Sequence, residues 1–156
     1  MTEKKQETKK VEEKALPKEV DAHFATAKSL NLKISTKQSY EVANFIRRKK
    51  LSRAKIMLQD VIDKKIAVPF KRYNRDTGHK KGRIASGRYP ENACKAFLML
   101  LNTVEANADS KGLDNERLFI SELRSTQGSQ QWHAGRMHRR RMKHTHLYIK
   151  VEESEK

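Results

Sequence analysis

The chain has one cysteine, three prolines, six glycines and one tryptophan among its 156 residues, and aromatic residues make up only 6% of it. A lone Cys94 forms no internal disulfide, so no covalent staple is available, and a reducing compartment suits the chain. Apolar residues reach only 36%, which limits the core to a small one. No run of about 18 apolar residues occurs, so no transmembrane helix is expected, and no apolar stretch behind the N-terminus reads as a signal peptide. GxSxG, P-loop and GxGxxG sequences are lacking too. Glu122 and Asp114 have no partner carboxylate at a useful spacing. His133, His138, His144 and His146 lie close together but lack a neighbouring cysteine or carboxylate at zinc spacing, and arginines around His138 and His144 disfavour a cation. Neither a metal, a cofactor nor catalysis is expected.

Positive charge is what the sequence has in plenty. Lys and Arg number 35 against 19 Asp and Glu, for a net charge of +16 and a pI near 10.1. Such an excess points to a polyanionic partner, most often nucleic acid. An anionic membrane surface would need an amphipathic helix with a large exposed apolar face, and none is left over. A free protein acting on DNA or messenger RNA explains the charge equally well. A reader of duplex DNA, however, needs a helix free to enter a groove, and the helices here are supplied with core-facing residues.

The cations gather in two stretches. The first runs from Lys71 to Arg88 and carries seven Lys or Arg against the single Asp76. Lys71, Arg72, Arg75, His79, Lys80, Lys81, Arg83 and Arg88 are interleaved there with Phe70, Tyr73 and Tyr89, a pattern suited to following an RNA backbone and stacking on bases. It reads as a loop of some twenty residues without structure of its own, a length that is usually functional or disordered. The second stretch holds Trp132, Gly135, Arg136, His138, Arg139, Arg140, Arg141, Lys143 and His144. These charges repel one another unless set against phosphates, and arginine forks match phosphate oxygens.

Apolar periodicity supplies the framework. Leu118-Phe119-Ile120 and Leu147-Tyr148-Ile149-Lys150-Val151 flank the second basic stretch, the latter with the period-two pattern of a strand with one buried face. Together they predict a long β-hairpin over 116–151. From Leu118 to Gly135 is 18 residues, a reach of at most about 60 Å, against a body whose radius of gyration is about 13 Å. Upstream, Leu30, Leu32 and Ile34 alternate with Asn31 and Lys33 and predict a strand. Ser35, with Gln38 as a capping-box partner, opens a helix whose face is Tyr40, Val42, Ala43, Phe45 and Ile46. Ser52 caps a second helix with Ala54, Met57, Leu58, Val61 and Ile62 on one side. Pro90 opens the longest helix, striped by Ala93, Ala96, Phe97, Leu100, Leu101, Val104 and Ala108 and ended by Gly112. No solenoid repeat is present.

These elements predict an α+β fold, three helices packed on a small antiparallel sheet with a long protruding β-hairpin. Residues 1–19, mixed in charge and poor in apolar groups, read as a disordered tail. Residues 20–151 form the single domain, with the basic loop at 66–89, and 152–156 form a second tail.

Several segments carry a resemblance. Val68-Pro69-Phe70-Lys71-Arg72-Tyr73-Asn74, then Gly87-Arg88-Tyr89-Pro90, then Glu105-Ala106-Asn107-Ala108 with Lys111-Gly112-Leu113-Asp114, Gly135-Arg136 and Thr145-His146-Leu147 occur in an order that resembles the universal large-subunit ribosomal protein L-twenty-two family in its archaeal and eukaryotic form. The resemblance covers roughly Phe24 to Val151. It implies a cytoplasmic ribosomal protein whose body and Lys71–Arg88 loop anchor to large-subunit rRNA. It also implies neighbouring large-subunit proteins as partners, and a hairpin threaded through the RNA to the polypeptide exit tunnel, with Trp132 to Arg141 near the lumen and the nascent polypeptide. Neither DNA nor membrane is among the implied partners. One departure stands out: Gln127 to His133 is shorter and less basic than the family's segment and lacks its Pro-Arg-Ala before Gly-Arg.

Overall fold

Two apolar stripes of different period, one helical and one alternating, meet in a single interior. The computed structural model describes residues 23–154; the expected tail at 1–19 lies outside them. In chain order the elements are β1 (Phe24–Leu32), α1 (Thr36–Ile46), α2 (Leu51–Ile62), β2 (Val68–Pro69), β3 (Gly87–Arg88), α3 (Glu91–Ser110), β4 (Leu118–Gln127) and β5 (Thr145–Glu153), with short 3-10 turns at Asn115–Arg117 and Gly135–Met137. The strands make one antiparallel sheet of order β1-β5-β4, and β2 pairs with β3 in a small second sheet. This is the expected α+β architecture.

The alternation along β5 decides which face is covered. Leu147, Ile149 and Val151 are buried, as are Leu118, Ile120 and Leu123 of β4 and Ala25 and Ala27 of β1. They meet Val42 and Ile46 of α1, Leu58 and Val61 of α2, and Phe97, Leu101 and Val104 of α3 in one cluster. Both sheet edges are partly covered. At β4, the Arg48 N–H donates to the Ile120 carbonyl at 3.0 Å and the Ile120 N–H donates to the Lys49 carbonyl at 2.9 Å. At β1, Asn107 Nδ2 donates to the Thr26 carbonyl at 2.9 Å and Lys111 Nζ to the Phe24 carbonyl at 3.3 Å. Covered edges keep a short sheet from pairing with another chain.

Four expectations need correction. The strand expected from the Leu30–Leu32–Ile34 alternation runs earlier, from Phe24 to Leu32; Ile34 joins the core and Leu32 packs against it, but the register shifts between Ser29 and Leu32 and Leu30 is 67% exposed. Asn31 at φ 53° turns the chain there, so alternation read across a bulge assigns the wrong side. Ser35 occupies the N-cap of α1, yet its side chain makes no capping bond; instead its carbonyl accepts from the Ser39 hydroxyl at 2.9 Å. α2 begins at Leu51 with Lys50 as its N-cap, so Ser52 already lies inside the helix. Finally, β5 continues to Glu153, which takes part of the expected C-terminal tail into the sheet.

α3 ends as its sequence predicts. The Gly112 N–H donates to the Asp109 carbonyl at 3.0 Å and the Leu113 N–H to the Ala108 carbonyl at 3.1 Å, the paired bonds that stop a helix on a glycine. Asp114 then accepts from the Glu116 N–H at 3.1 Å and opens the turn into β4. Cys94 is fully buried on the α3 stripe, and burial pushes its thiol up to about 12. Thiolate is the reactive form, so iodoacetamide should leave the native protein unlabelled and alkylate Cys94 fully once denaturant is added. Fast labelling of the native chain would show that the α3 stripe is not closed.

Candidate nucleic-acid interface

The basic loop is not the structureless segment its composition suggests. β2 and β3 pair through Val68 with Arg88 and Pro69 with Gly87, a bridge joins His79 to Ser86, and the Phe70 N–H donates to the Ser86 carbonyl at 2.9 Å. Gly87 permits this closeness: a Cβ there would meet Lys80 Cγ at 3.0 Å and Ala67 Cβ at 3.3 Å. Buried Phe70 pins the loop's start to the core.

The main anchor is a carboxylate. Glu41 of α1 is 1% exposed, and its Oε1 accepts from the backbone N–H groups of Arg72 and Tyr73, both at 2.8 Å, while Oε2 accepts from that of Lys71 at 3.2 Å. Three consecutive donors converging on one side chain fix the backbone where the cationic run begins; hydrogen bonds to a charged acceptor are the stronger kind. Around this point the Arg72 guanidinium sits 5.1 Å from the Tyr40 ring and 5.4 Å from the Tyr73 ring. Those two rings meet edge to face at 5.7 Å. A hydrogen bond with Asn44, and next one with Arg72, hold the Tyr40 hydroxyl below its ordinary value; the bond with Tyr40 raises Arg72 in turn.

From this base Lys71, Arg72, Arg75, His79, Lys80, Lys81, Arg83 and Arg88 are all exposed, and Tyr73 is half-buried. Lys80 lies over Tyr89 at 5.4 Å and Arg88 over Phe70 at 5.6 Å, so the interleaved aromatics hold the cations in place. Within the loop, the ion pair of Arg75 with Asp76 at 3.9 Å joins two almost fully exposed side chains, which leaves the surface strongly positive.

The arm is shorter than the expected 18 residues, because its first part belongs to the body. β4 and β5 pair regularly from Leu118 with Glu153 to Gln127 with Thr145, with one bulge between Ile120 and Glu122, and that ladder forms the sheet. Only residues 128–144 extend beyond it. From Gln127 to Gly135 the reach is at most about 26 Å. The extension is nonetheless a two-stranded ribbon: the Gly128 N–H donates to the His144 carbonyl at 2.9 Å, Met142 to Gln131 at 2.7 Å and His133 to Arg140 at 2.9 Å. Trp132 and Arg141 form a bridge. Gly135, at φ 65°, supplies the left-handed step at the tip, and a 3-10 turn over Gly135–Met137 closes it.

On this ribbon Arg136, His138, Arg139, Arg140, Arg141 and Lys143 are exposed, and none of them takes part in an ion pair among the described residues. Trp132 is 56% exposed, with the Arg141 guanidinium 4.5 Å from its ring centroid. One face of the indole is thus occupied by a cation. His144 differs from its neighbours: it is 6% exposed, and its Nδ1 bonds the Ser129 carbonyl at 2.8 Å. It braces the root of the arm. The adjoining Thr145-His146 is also a joint, with Thr145 Oγ1 donating to the Ile34 carbonyl at 2.9 Å and His146 Nδ1 accepting from the Asn31 N–H at 3.1 Å.

The structure therefore gathers the candidate residues into two exposed basic surfaces, a loop fastened to α1 and a ribbon fastened to the sheet. Sequence reading missed Glu41 and Tyr40 as the loop's fastening. The available signal was Glu41 itself, the sole acid in α1, adjoining Val42 and Ala43 on the apolar face.

A helix-backed sheet whose working surfaces are two basic extensions defines a class of small α+β structural proteins. The chain belongs to the ribosomal protein L22p/L17e family, whose model matches residues 27–152. It is 47% identical over 131 residues to the large ribosomal subunit protein uL22 of Nanoarchaeum equitans, covering 80% of this chain and 75% of the relative. Proteins of the same description from Methanocella arvoryzae (45% over 109 residues, 69% and 71% of the two chains) and Methanoculleus marisnigri (43% over 108 residues, 68% and 71%) are also similar. Membership makes the chain a structural constituent of the large ribosomal subunit, with a part in translation, and not an enzyme. No described helix is long and apolar enough to cross a membrane.

Proposed function

We propose that the chain binds large-subunit rRNA through both basic surfaces, stabilises the fold of that RNA, and points its arm toward the polypeptide exit tunnel. The observation that carries this reading is the arm itself, a ribbon with six exposed basic side chains that has no apolar core of its own. Such a ribbon is marginal in water, and phosphates set against Arg136, Arg139, Arg140, Arg141 and Lys143 would order it. The Lys71–Arg88 surface, including Tyr73 and His79, anchors the body on a second RNA segment. Neighbouring large-subunit proteins flank the body, and the nascent polypeptide passes the tip; DNA is not a partner.

Sedimentation of a lysate through sucrose after a stringent salt wash tests the reading. The protein should co-migrate with the large subunit. Recovery only at the top of the gradient would instead support a free nucleic-acid binder.

A further inference from the structure

The helices cover one face of the sheet and leave the other open. On that open face Lys28, Tyr148 and Arg124 are cross-strand partners in a row over β1, β5 and β4. Together with Leu30, Thr126 and His146 they line a groove of about 480 Å³. Leu30 is 67% exposed because the bulge in β1 turns it outward, and Lys28 Nζ lies 5.7 Å from the centroid of the half-buried Tyr148 ring.

We propose that this groove holds one unpaired nucleotide of a single-stranded RNA segment, its base against Tyr148 and Leu30 and its phosphates on Lys28 and Arg124. An aromatic ring flanked by two cations on a sheet offers stacking and charge neutralisation together, the combination that binds single strands. Arg124 now bonds Glu122, but that pair joins side chains 66% and 35% exposed; exposed pairs are weak, and the guanidinium is free to exchange it for a phosphate. The Asn31 N–H donates to His146 Nδ1, so the neutral ring carries its proton on Nε2 and offers a donor to a base edge. Thr126 and His146 each stand one residue from the last ladder pair, Gln127 with Thr145. RNA that follows the arm toward the body therefore arrives at this groove.

The inference rests on the proposed rRNA binding, and its test separates the two. Salt-washed large subunits are irradiated at short wavelength, digested with protease and nuclease, and searched by mass spectrometry for nucleotide adducts. A mononucleotide adduct is expected within residues 146–150, falling about tenfold in a Lys28→Glu/Arg124→Glu variant while adducts on the arm persist. The two replaced side chains lie outside the core, and co-migration of the variant with the subunit reports that it still folds. Adducts on the arm with none in 146–150, or a neighbouring protein crosslinked there, would overturn the groove proposal alone. Absence of adducts from the arm, the Lys71–Arg88 loop and the groove alike would overturn the rRNA reading as well.

Discussion

Replacing Arg139, Arg140 and Arg141 together by alanine should leave the body folded and release the protein from large subunits in a salt wash that the unaltered chain survives. All three side chains lie on the exposed ribbon, none contributes to the core cluster, and the thermal midpoint of the free protein should hardly move. Each lost phosphate contact makes the salt dependence of binding shallower by about 0.7 to 0.9 in log–log slope, so three losses amount to roughly a hundredfold at physiological salt. Arg141 has a second role, because its guanidinium covers Trp132. Arg141→Lys should restore charge without the planar stack, and recover only part of the retention. Normal subunits holding the triple variant through the wash would refute the role given to these arginines.

Glu41→Ala should destabilise the fold by about 3 kcal/mol or more, a large effect for a residue with no charged partner among its bonds. The substitution strands three backbone donors at the start of the loop, and each costs on the order of 1 kcal/mol or more when left unsatisfied. Glu41→Gln retains one acceptor oxygen and should fall between the two. Urea unfolding gives the comparison directly. The loop variant has a second consequence: with Lys71, Arg72 and Tyr73 released, RNA retention weakens although every cation remains. A midpoint shift equivalent to less than about 0.5 kcal/mol, the range of ordinary surface substitutions, would mean that the loop is fastened elsewhere.

The helices were legible because their stripes repeat at helical spacing. Phe97, Leu101 and Val104 announce α3, and Gly112 ends it as its type predicts. β5 was legible for the same reason at period two. What failed was local. Leu30 follows a correct alternation through a bulge that no residue type marks clearly, and Ser35 and Ser52 have capping chemistry that the chain does not use. The loop at 70–86 lacked periodicity because it is held by contacts distant in sequence: Glu41 reaches 30 to 32 residues forward, and side-chain-to-backbone bonds at that separation leave no pattern in a short window. His144 was grouped with the surface cations by its neighbours, whereas its place is set by Ser129 across the ribbon. The segments that carried the family resemblance prove to be joints. Asn107 caps the β1 edge, Gly87 admits a close backbone approach, and Thr145 ties β5 to Ile34.

The proposed placement has the arm within large-subunit rRNA, pointing to the exit tunnel. A single cysteine at the exposed tip, Ala134→Cys, can carry a tethered iron chelate, since buried Cys94 should not compete for the reagent. Subunits assembled with this protein and triggered to release hydroxyl radicals should show cleavages confined to large-subunit rRNA around the tunnel wall. Cleavage elsewhere on the subunit, or none above the level of unmodified protein, would contradict the account.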